Sequence, residues 1–241
     1  MSVAEIPAPP GLFVTGTDTG VGKTLVGAAL AYLLRQKGCH VGVFKPLESG
    51  VPDPSGLGDD GRLLAWAAAV GEEPDLIGAY RLREPLAPSL ALRREGIRVD
   101  WRDLLRAIRQ NRMKYDFHLV EGAGGLLVPL VERRLVADLA ADLGLPLLIV
   151  ARPGLGTVNH TLLTLEVAKA RGLRVAGWII SGLTAGAGVA ERHAAEEIAR
   201  LTDAPCWGVL PRVDGTPQEK VVELAAHLDR MEILGKIGCG G

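Results

Sequence analysis

The chain has 241 residues, 48% of them hydrophobic and 23% charged, enough for one large α/β domain with a well-buried core. Its 27 Lys and Arg nearly balance 28 Asp and Glu, and aromatics make up only 4%, so neither charge nor base-stacking capacity points to nucleic acid or an acidic membrane as partner. No apolar run approaches the roughly 18 residues that span a bilayer, the opening MSVAEIPAPPG lacks a signal-peptide pattern, and Cys39, Cys206 and Cys239 are isolated, which together suggest a reducing cytoplasm with no disulfide frame or zinc site.

The elements alternate along the chain. LFVTG (12–16) predicts a strand that runs into a glycine loop, TLVGAALAYLLRQKG (24–38) a helix stopped by Gly38, and CHVGVFKP (39–46) a second strand ended by Pro46. Residues 59–71 read as a helix, 72–100 are broken by prolines and resist assignment, and 101–115 form an amphipathic helix. FHLVEGAGG (117–125) reads as a strand ending in a glycine turn. Helices are then expected at 135–144, 160–172, 188–201 and 219–230, with strands at 146–154, 173–182 and 206–211. Continuous apolar strands alternating with helices predict an α/β fold, a mainly parallel sheet with helices on both faces. No repeat or linker divides the chain, so residues 1–241 read as one domain with flexible ends at 1–10 and 235–241.

In such a sheet ligands bind beyond the carboxyl ends of the strands. The loop GTDTGVGKT (16–24) resembles a phosphate loop, G-x-x-x-x-G-K-[ST], with its first glycine one residue too far away. Gly20 and Gly22 let backbone N–H groups turn onto a phosphate, and a helix start at Lys23 and Thr24 favours anions. Lys23 would reach the β- and γ-phosphates and Thr24 would ligate Mg²⁺. Lys45 follows a strand in FKPLESG and, taken alone, reads as a surface lysine; beside a phosphate loop it becomes a functional candidate. Glu121 sits at an expected strand end where Mg²⁺ needs a carboxylate, with Gly122, Gly124 and Gly125 allowing close backbone approach. ARPGLGTVNHT (151–161) joins a strand end to a helix start that either caps itself or holds a carboxylate, and His160 reads as structural. Asp59 and Asp60 begin a helix, and either could supply a second Mg²⁺ carboxylate.

GTDTGVGKT, FKPLESG, VEGAGGLLVP, LGTVNHTLLTLE, AGWIISG and GVLP occur in the order found in dethiobiotin synthetases, and by this set the chain, from residue 12 to about 218, resembles that P-loop family. The resemblance implies an ATP- and Mg²⁺-dependent ring closure of 7,8-diaminononanoate with CO₂ to dethiobiotin, through a carbamate and a carbamic–phosphoric anhydride. It implies that Lys45, Lys23 and Thr19 act on the reacting groups, and that Thr24, Asp60 and Glu121 bind the metal. Gly20, Val21, Gly22, Leu25, Gly122, Ala123 and Gly124 would surround the phosphates. Ser181, Gly182, Pro211, Arg212, Val213 and Gln218 would line the base and ribose. Thr19, Lys45, Ser49 and Gly124 would contact the diamine, whose distal carboxylate meets Leu155, Val158 and Asn159 of a partner subunit, so a cytoplasmic homodimer is expected.

Three positions depart from the family pattern. Ser181-Gly182 stands where members often carry the Asn-Asp that reads adenine, Gly20 where Glu is common, and Gln218 where an acid meets the ribose. Rival activities fit less well. A partitioning-type ATPase switch would carry a second lysine where this chain has Asp18, and a cobyrinate-type amidating ligase would need a glutaminase domain for which there is no room. A non-catalytic nucleotide-binding regulator would need neither Lys45 nor a substrate-binding helix start.

Overall fold

The computed structural model describes residues 10–71 and 77–237. Residues 1–9 of the expected flexible start, residues 72–76 of the unassigned stretch, and residues 238–241 with Cys239 lie outside the described residues. The strands are β1 (Gly11–Gly16), β2 (Val41–Phe44), β3 (Leu47–Ser49), β4 (Tyr80–Leu82), β5 (Phe117–Gly125), β6 (Pro129–Val131), β7 (Arg134–Leu135), β8 (Leu147–Ala151), β9 (Val175–Leu183) and β10 (Cys206–Pro211). The helices are α1 (Lys23–Gln36), α2 (Asp59–Ala68), α3 (Pro88–Arg94), α4 (Trp101–Arg112), α5 (Val136–Leu143), α6 (Thr157–Ala170), α7 (Val189–Ala199), α8 (Pro217–Arg230) and α9 (Ile233–Ile237).

Six strands form one parallel sheet in the order β10–β9–β8–β1–β5–β2. Both faces are buried, which is why these strands carry apolar residues without polar alternation. Along β1, Leu12 and Val14 point to one core with α1, α2 and α8, while Phe13 points to the other with α3 to α7. The same alternation repeats in β8, with Leu148 and Val150 on the first side and Leu147 and Ile149 on the second. This two-sided burial makes the sheet a rigid platform, and the site is built on its carboxyl edge. No helix among the described residues is long and apolar enough to cross a membrane.

The structure revises several boundaries. Glu121 does not end its strand: it pairs with Val14, and β5 runs four residues further, with an irregularity before Gly125 meets Gly16. The stretch broken by prolines contains β4 and α3, and Pro88 opens α3 rather than breaking it, as its fixed φ and missing N–H suit a first helical turn. The small β3–β4 and β6–β7 sheets are additional. Helix α6 begins at Thr157, three residues earlier than the spacing suggests, and α8 begins at Pro217, which brings Gln218 into its first turn. Gly235 to Ile237, the described part of the tail expected to fray, belong to α9, whose Ile233 is buried in the core.

Candidate active site

The opening loop is shaped by its glycines. Gly22 adopts a left-handed conformation, φ 95°, and caps α1 without any side-chain hydrogen bond. The first N–H groups of α1 are therefore left for a ligand, in contrast to α4 and α8, whose starts are capped by the Asp100 and Thr216 side chains. The distant Gly16 also belongs to the loop: a methyl there would stand 2.8 Å from the Asp18 carbonyl oxygen and 3.0 Å from Lys23 Nζ. Lys23 is buried and donates to the Asp18 carbonyl at 2.9 Å, so the loop folds over its own lysine. Burial holds the Lys23 ammonium below the ordinary lysine range, against the pull of Glu121.

Four residues far apart in sequence converge beside this loop. Glu121 Oε1 accepts from Thr24 Oγ1 at 2.9 Å and from Lys45 Nζ at 2.5 Å, and Lys45 Nζ also meets Asp60 Oδ2 at 2.7 Å. Lys45 and Glu121 are both buried. Burial alone would lower the Lys45 pKa, but Glu121 and Asp60 outweigh it and raise it above the ordinary lysine range, so the ammonium is retained. Burial pushes the Glu121 carboxyl up, with Lys45 opposing, whereas Asp60, despite its burial, is held below the usual carboxylate range by Lys45 and the Thr24 hydroxyl.

The two candidate aspartates separate clearly. Asp60 faces Lys45, while Asp59 is 96% exposed and pairs with Arg62 at 2.5 Å. Among the described residues there is no cluster of three or more His, Cys, Asp or Glu that could hold a metal by itself. Glu121 Oε2, however, is buried without a hydrogen-bond partner. One hydroxyl and two carboxylates with a spare lone pair suit Mg²⁺, which takes one or two carboxylates and completes its shell with phosphate and water oxygens.

The remaining expected residues are distributed around this centre. Thr19 lies beside Gly124, where a methyl would stand 3.4 Å from its hydroxyl. Thr19 also lines a cavity of about 440 Å³ with Asp18, Leu127, Val128 and His160. His160, expected to be structural, therefore borders the same space as Thr17 to Thr19 of the phosphate loop. Ser49 and Asp60 share a separate cavity of about 380 Å³ with Glu48. Val21 and Val213 are core residues, so only their backbone can face a nucleotide, and Leu25 and Ala123 are partly buried against the two cores. At Gly122 packing fills the space of a side chain: a methyl there would meet Val136 at 2.8 Å and Phe13 at 3.0 Å.

Ser181 sits in β9 against the loop, its hydroxyl 3.2 Å from where a methyl on Gly22 would stand, and Gly182 follows with φ 99°. Pro211 ends β10 and Arg212 follows it, with the Arg212 N–H donating to the Leu183 carbonyl oxygen, and Gln218 is exposed. Val158 and Asn159 lie in the first turn of α6 and Leu155 just before its N-cap, with Leu155 88% exposed and Asn159 exposed. Among the described residues no hydrogen bond or ion pair joins that segment to the Lys45 cluster. Sequence reasoning missed Glu48, a buried carboxylate bonded to the start of α2, whose signal is only one acid inside FKPLESG.

Fold and site together define a nucleotide-binding P-loop protein built on a parallel sheet. Comparison with known proteins narrows this. Residues 10–220 match the family described as "AAA domain" (AAA_26). The chain is 42% identical over 225 residues to the "ATP-dependent dethiobiotin synthetase BioD" of Thermodesulfovibrio yellowstonii, covering 89% of this chain and 94% of that one. It is 44% identical over 216 residues to the protein of the same name from Bacillus thuringiensis strain Al Hakam, covering 88% and 87%. Among solved structures, a Cyanothece McdA–ATP complex matches with TM-score 0.56 at 12% identity, over 98% of this chain and 99% of that one. A ParA family ATPase from Chlorobium tepidum TLS matches with TM-score 0.54 at 14% identity, over 91% and 100%. The structural likenesses establish the fold alone; by sequence, the chain belongs to the dethiobiotin synthetase family.

Proposed function

We propose that this chain is an ATP-dependent dethiobiotin synthetase, a ligase that closes the cyclic urea of dethiobiotin from 7,8-diaminononanoate and CO₂, supplied as CO₂ or bicarbonate. The observation that carries this is the buried Lys45 ammonium held beside the phosphate loop by Glu121 and Asp60, in a chain 42% identical to a relative named for that activity. A regulator that merely bound nucleotide would have no use for a cation held there.

In the proposed course one amine of the diamine takes up CO₂, losing a proton to give a carbamate. A carbamate oxygen attacks the γ-phosphorus of ATP and ADP leaves. The second amine then attacks the carbonyl carbon of the mixed anhydride, loses a proton and expels phosphate. A carbamate is a weak nucleophile, so positioning and fixed positive charge carry most of the work. Lys45 and Lys23 supply that charge. Thr19, Ser49 and Gly124 orient the reacting end of the diamine, and the adjacency of Thr19 and Gly124 supports their acting together.

Thr24, Asp60 and Glu121 would hold Mg²⁺, and the orphaned Glu121 Oε2 supports this. Bound there, the ion would supply neutralising charge to the phosphoryl oxygens. The backbone of Gly20 to Thr24 with Leu25 would cradle the phosphates at the uncapped start of α1, and the β5 segment Gly122–Gly124 would pass close to them. Ser181, Gly182, Pro211, Arg212, Val213 and Gln218 would border the base and ribose. With Ser181-Gly182 in place of an amide side chain, either backbone groups recognise the base or purine selectivity is relaxed.

The active unit is proposed to be a homodimer in which Leu155, Val158 and Asn159 of one subunit receive the carboxylate of the diamine bound to the other. Two features support this. The α6 start has no side-chain cap at Gly156, and Leu127, Leu155 and Leu163 are 53%, 88% and 56% exposed. The test is incubation with ATP, Mg²⁺, bicarbonate and the diamine, followed by mass detection of dethiobiotin. ATP hydrolysis without that product would replace the ligase with a switch ATPase.

A further inference from the structure

Glu48 has no part in the chemistry outlined above, yet both of its carboxylate oxygens are engaged at the start of α2. Oε1 accepts from the Asp60 N–H at 3.0 Å and Oε2 from the Gly61 N–H at 3.1 Å. These are two of the N–H groups that a helix start leaves without partners, and the N-cap, Gly58, has no side chain to serve them. Gly58 is compelled by the same contact: a methyl there would stand 2.1 Å from Glu48 Oε1 and 2.3 Å from Cδ.

Lys45 stands three residues before Glu48 and holds Asp60 by its side chain at 2.7 Å. The segment from 45 to 48 thus holds Asp60 at both backbone and carboxylate, while Asp59 in the same turn faces solvent. An ordinary cap would come from the N-cap position and be exposed, as with Asp100 and Thr216. Here the cap is a buried carboxylate from another element that serves two successive N–H groups, those of Asp60 and Gly61.

We infer that Glu48 is a positioning residue that fixes the backbone at Asp60, so that the Asp60 carboxylate stays turned toward the metal site. This rests on the proposed role of Asp60 as a Mg²⁺ ligand. Outer partners that orient metal-binding carboxylates typically change metal affinity by about 10–100-fold when lost.

The experiment titrates Mn²⁺, as a paramagnetic stand-in for Mg²⁺, by electron paramagnetic resonance into the full chain with a non-hydrolysable ATP analogue. Wild type, Glu48→Ala, Glu48→Gln, Asp60→Ala and the Glu48→Ala/Asp60→Ala double variant are compared, each with its melting temperature. Glu48→Ala is expected to weaken Mn²⁺ about tenfold, and Glu48→Gln, which keeps one acceptor oxygen and the side-chain volume, about threefold. In the Asp60→Ala background the Glu48→Ala change is expected to add less than about twofold, because its effect passes through Asp60. Unchanged Mn²⁺ affinity in Glu48→Gln, together with a lower melting temperature, would reduce Glu48 to a helix cap and overturn the inference. Equal Mn²⁺ losses in both backgrounds would also overturn it. Unchanged affinity in Asp60→Ala would instead remove Asp60 from the metal site, and absence of ring closure in wild type would remove the ligase activity while leaving the Mn²⁺ comparison standing.

Discussion

Lys45→Met tests the centre of the site most directly. Methionine keeps the volume of the buried stem and deletes the ammonium, which lies 2.5 Å from Glu121 Oε1 and 2.7 Å from Asp60 Oδ2. Removing one partner of a buried ion pair costs about 3–5 kcal/mol, because the other charge stays behind without compensation. The Glu121 carboxyl, already pushed up by burial, can take a proton once its cation is gone, so the lower end of that range is expected. Set against a typical stability of about 5–15 kcal/mol, the variant remains folded. Its melting temperature should fall by about 6–12 °C for a chain of this size. Ring closure should fall far more. A fixed charge aimed at a reacting anion is worth about 10²–10³ in kcat, and Lys45 is also a diamine contact in the proposed course. The assay is mass detection of dethiobiotin under saturating ATP, Mg²⁺ and bicarbonate, alongside a thermal melt. Ring closure within about tenfold of wild type, in a variant whose melt has shifted as expected, would refute the assignment of Lys45 to the carbamate.

The remaining expectations concern the metal, the partner subunit and acid stability. Glu121→Gln keeps shape but removes a ligand charge, and should raise the Mg²⁺ concentration for half-maximal activity by at least about tenfold, measured by titrating Mg²⁺ at fixed ATP. Asn159→Ala should raise the KM for the diamine severalfold while leaving that for ATP nearly unchanged; equal changes in both would argue against a carboxylate site at the α6 start. His118 is fully buried, stacks 5.0 Å from Phe44, and has no hydrogen-bond partner at either ring nitrogen among the described residues. Burial, with Arg112 adding to it, lowers its pKa from 6.5 to about 3. The unfolded chain therefore takes up this proton first. The stability due to neutral His118 is complete above pH 6.5 and is lost as pH falls from there toward about 3. His118→Phe should flatten the stability slope in that window by up to about 1.4 kcal/mol per pH unit, read from denaturant melts at several pH values. An unchanged acid limb would show that His118 is not the group responsible.

How much of the fold was legible follows from where each signal resides. The six strands of the main sheet are buried on both faces, so each appears as an apolar run bounded by turns, and all six were readable. Strands β3, β4, β6 and β7 have two or three residues each, too short to carry a period, and exist only because tertiary contacts align them. Pro88 shows that a proline marks a boundary without saying on which side the helix lies. The end of β5 was misjudged for a related reason: glycines suggested a turn, whereas Gly122 is small because Phe13 and Val136 occupy the space of its Cβ.

The site divides along the same line. The phosphate loop is local, so its residues announce themselves, and even its odd spacing has a local cause in the room that Gly16 leaves for Lys23 Nζ. The junction of Lys45, Asp60 and Glu121 is not local: expected strand and helix ends made these residues candidates and the resemblance chose Asp60, but only folding shows one ammonium meeting both carboxylates. Composition could not choose between Asp59 and Asp60, because both are acids in the first turn of one helix. What separates them is the direction of the turn, which places one carboxylate on Lys45 and the other on Arg62. Glu48 helps to set that direction through two backbone hydrogen bonds across twelve and thirteen residues. A residue whose work is done on backbone N–H groups leaves no mark at the position it acts upon, since every residue except proline offers the same donor. Its one legible trace is Gly58, which becomes interpretable only when the Glu48 carboxylate is seen to occupy the space of the missing Cβ.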